Sequence, residues 1–77
     1  MSIIPIISAK EMVPILLKAG FKIIRQKGSH VRFHNPANGR STTVAMHVGG
    51  LTRKIIKVIL NQSDISVEEF LKLLGKK

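Results

Sequence analysis

The sequence predicts an α+β fold: a three-stranded antiparallel sheet with helices on one face, in the order α-β-β-β-α with an extra C-terminal helix. Three observations predict it. Apolar residues recur at helical spacing near both ends, over 12–19 and 55–74. The middle, 21–47, alternates in polarity and is rich in Ile, Val, Phe and Thr. Turn chemistry at Gly28, at 35–39 and at Gly49-Gly50 cuts that middle into separate strands.

The apolar start, 1–7, is too short to span a bilayer, contains Pro5, and lacks the basic start and small-residue cleavage site of a signal peptide. It is expected to lie extended on the core, with no membrane role. Ser8 and Glu11 then have the spacing of a capping box. Met12, Ile15, Leu16 and Ala19 share one helical face, and Gly20 closes the segment. Pro14 conflicts with a simple helix from Ser8, because it removes an amide bond to Lys10, so a kink or a late start is expected.

A strand over 21–26 follows, with a break at Gly28. The next strand, 29–34, sets Val31 and Phe33 on one face and His30, Arg32 and His34 on the other. Residues 35–39 are dense in turn formers, with Asn38-Gly39 a strong hairpin signal. The third strand is expected over 40–47. Beyond Gly49-Gly50, Ile55, Ile56, Ile59 and Leu60 form an apolar stripe, opposite Lys54, Lys57 and Asn61. In the last helix Ser66 and Glu69 have capping-box spacing, and Ile65 can staple onto Phe70. Val67, Phe70, Leu71 and Leu74 repeat at helical spacing, and Gly75 ends the run. Three strands cannot bury themselves, so helices must cover the Val31 and Phe33 face. His30 and Arg32 are then left facing water.

Composition bounds the function. Seventy-seven residues, 1–77, make a single domain, and a hydrophobic share of 44% is that of a globular protein rather than a disordered one. The absence of cysteine excludes disulfides, thiol nucleophiles and thiolate zinc sites, and is compatible with a cytoplasmic protein. The net charge is +9, and its layout matters more than its size. The acids are Glu11, Asp64, Glu68 and Glu69, so 12–63 carries none. That span still holds Lys18, Lys22, Arg25, Lys27, Arg32, Arg40, Arg53, Lys54 and Lys57. A purely cationic middle favours a polyanion held through phosphate contacts, with an acidic protein partner also compatible.

Within that span, His30 follows Arg25, Lys27, Gly28 and Ser29 and precedes Arg32. An exposed imidazole exchanges protons near neutral pH, and surrounding cations attract phosphate. Metal-free RNA cleavage needs a base for the ribose 2′-hydroxyl, an acid for the leaving 5′-oxygen, and cations for the phosphorane. His30 suits the base or the acid. Arg25, Lys27 and Arg32 are candidate phosphate contacts, and Gly28 and Ser29 of the loop are grouped with them as RNA-binding candidates. His34, taken to lie roughly 6.5–7 Å along the same strand face, is a candidate for the second proton transfer, and His47 is another. The histidine spacing does not match a zinc site, no acid stands near Ser29 to complete a triad, and no glycine-rich nucleotide loop is present. Neither a metal nor another cofactor is expected.

The runs Lys18-Ala19-Gly20-Phe21, Arg25-Gln26-Lys27-Gly28-Ser29-His30, the Asn-Gly hairpin and Ile65-Ser66-Val67-Glu68-Glu69-Phe70-Leu71 closely resemble the HicA toxins over about 9–74. Those are messenger-RNA interferases of bacterial and archaeal toxin–antitoxin modules. Pro14 and the stretch 45–52 depart from the family pattern. The resemblance implies a fold like the double-stranded-RNA-binding domain, with His30 as the catalytic histidine on the sheet. It also implies a HicB-type antitoxin that covers the active site. The composite expectation is a toxin ribonuclease that cuts RNA without metal. The first rival is a non-catalytic double-stranded-RNA-binding module using Arg53, Lys54 and Lys57. A DNA-binding helix over 53–60 is the second, disfavoured by its few groove-reading side chains.

Overall fold

In the computed structural model, which describes residues 4–46 and 50–75, the elements are α1 (Ala9–Lys18), β1 (Lys22–Lys27), β2 (His30–Asn35), β3 (Arg40–Ala45), α2 (Arg53–Ser63) and α3 (Val67–Leu74). The strands form one antiparallel sheet in the order β1-β2-β3, with helices on one face. This is the expected α+β meander.

Strand alternation sets the layers. On β2, Val31, Phe33 and Asn35 are buried, whereas His30 and Arg32 are exposed and His34 is half-buried. Val31 pairs with Val44 and Phe33 with Thr42, so β3 contributes the same face to the core. Met12, Ile15 and Leu16 of α1, Ile56, Ile59 and Leu60 of α2, and Phe70 of α3 complete it. Burying side chains of this size contributes about 1.5–3 kcal/mol each, and that is what holds the helices to the sheet.

The capping box settles where α1 begins. Ser8 Oγ accepts from the Glu11 amide at 3.2 Å, and Glu11 Oε1 accepts from the Ser8 amide at 3.0 Å. The helix therefore starts at Ala9 and runs through Pro14, so the late start does not occur. Lys10 and Pro14 are both exposed, which lets water hydrate the carbonyl that Pro14 cannot serve. At the other end, the Gly20 amide bonds Leu17 O at 3.1 Å and the Phe21 amide bonds Leu16 O at 3.0 Å. That Schellman closure needs the positive φ of 101° at Gly20. It also explains why Phe21 is a core residue before β1 rather than its first member. Buried Asn35 ties this corner together, with Nδ2 donating to Ala19 O at 3.5 Å and Oδ1 accepting from the Ala37 amide at 2.9 Å.

The described part of the N-terminal segment lies on the core as expected. Ile4 and Ile7 are buried, and the Leu51 amide donates to Ile7 O at 2.9 Å. On α2 the buried stripe is Ile56, Ile59, Leu60 and Ser63. Ile55 departs from its expected place in that stripe and stays 47% exposed, because only one side of α2 meets the sheet. Asp64, at φ 57°, ends α2. Ser66 Oγ then accepts from the Glu69 amide at 3.1 Å, one half of the expected box, while Ile65 and Phe70 are both in the core. Among the described residues, no helix is long and apolar enough to cross a membrane.

Candidate functional site

The site grows out of the hairpin between β1 and β2. Its loop is Gly28-Ser29, closed by the pair Lys27 and His30. Gly28 has φ 59°, the positive value that the first residue of a type II′ turn requires. A Cβ built on Gly28 would meet nothing within 4 Å, so the demand for glycine is conformational and not steric.

Paired residues of neighbouring strands put their side chains on the same face, and the register therefore arranges the open face in rows. The first row is Lys27, His30 and Ala45. The second is Arg25, Arg32 and Thr43, and the third is Lys22, His34 and Ser41. Successive rows lie two residues apart on β2, about 6.6 Å. In the first row His30 pairs with Ala45 on β3 and with Lys27 on β1. The Met46 amide donates to Ser29 O at 2.6 Å, which extends strand pairing past His30 and steadies the loop.

Lys22 joins this face against the expectation from alternation. Strict alternation would put Lys22 and Arg25 on opposite faces. A bulge between Ile23 and Arg25 absorbs Ile24 as an extra residue, and Lys22 then pairs with His34 on the open face. The consecutive apolar pair Ile23-Ile24 departs from strict polar–apolar alternation, and both residues stay exposed on the edge strand.

The structure brings together most of the expected residues. His30, Arg25, Lys27 and Arg32 share two adjacent rows, and Gly28 and Ser29 form the loop beside them. His34 does not join His30. It is four residues further on, about 13 Å along a strand, too far to act on the same scissile bond. Its Nδ1 instead lies 2.9 Å from Ser41 Oγ. His47 and the end of the expected third strand lie outside the described residues, since β3 ends at Ala45. Among the described residues, no three His, Asp or Glu side chains come together in a way that would hold a metal ion.

The electrostatics follow from placement. No strand carries an acid, while Glu11 lies on α1, Asp64 ends α2, and Glu68 and Glu69 lie on α3. Arg25 and Arg32 face each other directly, a like-charge pairing that costs stability until an anion sits between them. The arrangement can bind phosphate oxygens in the second row and move a proton in the first. The cations proposed for duplex binding are placed differently. Arg53 Nε donates to Ile4 O at 2.8 Å and is committed to the N-terminal segment.

Compared with models of known families, residues 9–65 match the one described as the HicA toxin of bacterial toxin–antitoxin systems. No curated protein matches the chain.

Proposed function

The chain belongs to the HicA toxin family of bacterial toxin–antitoxin systems, and on that premise we propose that it is an endoribonuclease cutting messenger RNA on the open sheet face, with His30 transferring a proton. The family is generally one of messenger-RNA interferases, and it implies an antitoxin partner and an RNA substrate. The observation that carries the finer reading is the register. It puts an exposed imidazole in line with Lys27 and one row from Arg25 and Arg32, on strands that carry no acid.

In this reading Arg25, Arg32 and Lys27 grip the phosphate, with Gly28 and Ser29 bringing the loop backbone close to it. The ribose 2′-oxygen attacks phosphorus as its proton leaves to a base. The bond to the 5′-oxygen breaks as that oxygen takes a proton from an acid, leaving a 2′,3′-cyclic phosphate. His30 serves one of these transfers, and the cations stabilise the phosphorane charge. No step calls on a metal ion. The chain, 1–77, acts as one domain in the cytoplasm, and a HicB-type antitoxin silences it by covering this face.

His30→Ala tests the assignment. The side chain is exposed, so the variant is expected to keep the parental circular dichroism spectrum and melting temperature. It should lose at least a hundredfold in RNA cleavage and no longer arrest growth when expressed. Near-parental cleavage by the folded variant would remove His30 from catalysis. RNA binding by the parent without any cleavage products would favour a non-catalytic RNA-binding module, and loss of cleavage in EDTA would favour a metal nuclease.

A further inference from the structure

We propose that the third row, Lys22, His34 and Ser41, is a distal phosphate subsite, so that the RNA lies as a single strand along β2 and extends beyond the scissile phosphate. This rests on reading the open face as the RNA site, and it assigns a role to residues which that reading leaves unused.

Four observations carry it. The row continues in register from the His30 row through the Arg25 and Arg32 row, on the same face. Row spacing of about 6.6 Å is close to one nucleotide step of an extended strand, so consecutive phosphates meet consecutive rows. The bulge at Ile24 disrupts ladder pairing, and its product is that Lys22 joins this face. Finally, His34 is half-buried and held by Ser41, with Oγ 2.9 Å from Nδ1. When Ser41 donates that bond, the imidazole carries its proton on Nε2 and presents it as a donor. Lys22 supplies the charge and His34 the directed hydrogen bond.

The surroundings fit a strand of RNA rather than a lone anion. A groove of about 610 Å³ opens at the β3 edge, between Arg32, Ser41 and Thr43 on the strands and Ile55, Val58 and Gln62 on α2. Ser41 is the member of the row that reaches it, and Lys22 and His34 lie outside its lining. Thr42 Oγ1 donates to Gln62 Oε1 at 2.8 Å, which leaves the Gln62 amide nitrogen to donate outward. Ile55, at 47% exposure, gives the groove an apolar wall on which a base can rest. The acid-free strands favour nucleic acid over any neutral occupant.

The test is binding measured apart from cleavage. On a His30→Ala background, labelled RNA oligonucleotides of two, four and six nucleotides are titrated by fluorescence anisotropy at several salt concentrations. Affinity should rise about tenfold or more from two to four nucleotides. Lys22→Gln, His34→Ala and Ser41→Ala should each weaken four- and six-nucleotide binding about three- to tenfold and leave the dinucleotide unchanged. Lys22→Gln should also lower the salt slope by about 0.7, the share of one phosphate contact on a single strand. His34→Gln, which keeps a side-chain donor, should recover part of the loss.

In the cleavage-competent protein, His34→Ala should raise KM on long RNA and leave kcat unchanged. Equal loss on all lengths, no loss on any, or a fall in kcat would overturn the subsite. Failure of the parent to cleave RNA would overturn the catalytic reading instead, while the binding series would still decide the subsite.

Discussion

Arg25→Gln separates the like-charge repulsion across β1 and β2 from the phosphate contact proposed for Arg25. The guanidinium groups of Arg25 and Arg32 project from directly paired positions. Two such charges taken as about 7 Å apart in water repel by about 0.6 kcal/mol. Screening reduces this to about 0.5 kcal/mol at 0.01 M salt, about 0.25 kcal/mol at 0.15 M, and below about 0.1 kcal/mol at 1 M. A domain of this size gains about 4–8 °C in Tm per kcal/mol. The variant should therefore melt about 2–4 °C above the parent at 0.01 M salt, about 1–2 °C above it at 0.15 M, and level with it at 1 M. Thermal melts followed by circular dichroism at the three salt concentrations read this directly. The same variant should bind single-stranded RNA more weakly, with a salt slope lower by about 0.7. Opposite signs are the content of the prediction, since a purely structural arginine would lose stability and binding together. A variant less stable than the parent at 0.01 M salt, or a gain that ignores salt, would refute the reasoning.

Two further substitutions probe the loop and the core. Gly28→Ala forces a side chain into φ 59° and should cost about 1–2 kcal/mol, with RNA cleavage falling further than stability because the loop sets both Lys27 and His30. Paired melting and cleavage assays on Gly28→Ala read both effects, and parental values in both would refute the conformational demand for glycine. Ser63 is 1% exposed and its Oγ has no hydrogen-bond partner, so Ser63→Ala removes a buried unsatisfied hydroxyl from a helix. It should stabilise the protein by about 1 kcal/mol in urea unfolding, with cleavage unchanged; a loss of stability would mean the hydroxyl is satisfied.

How far the chain can be read before it is folded depends on how strongly burial polarises each element. β2 is legible because one face is fully buried: Val31 and Phe33 fix the alternation, and His30 and Arg32 follow to the other side. The caps of α1 and α3 are legible because Ser8, Glu11, Ser66 and Glu69 act locally, through bonds three residues long. Ile55 is not legible, because helical spacing admits it to the stripe and only the docking angle of α2 decides that it stays out. β1 is the hardest case. All its residues are exposed, so burial gives no phase, and the bulge at Ile24 shifts whatever phase a reader assumes. The distance of His34 from His30 is legible, since four residues of strand span about 13 Å, and the separation rules out a shared scissile bond even though both share a face of β2.

Solubility alone does not account for the open face. Charge that serves solubility is dispersed and mixed in sign, as on α1 with Lys10, Glu11 and Lys18, or on α3 with Glu68, Glu69 and Lys72. On the sheet the cations align in register instead. Arg25 opposes Arg32, and a bulge adds Lys22 to their face. Each of these features costs the free chain something: repulsion across a strand pair, and a break in the ladder. On the proposed reading, each returns stability when RNA lies across the rows. Where local choices work against the fold in a consistent direction, function explains them better than chance does. Here that direction runs along β2, from the imidazole of His30 toward Lys22 and His34.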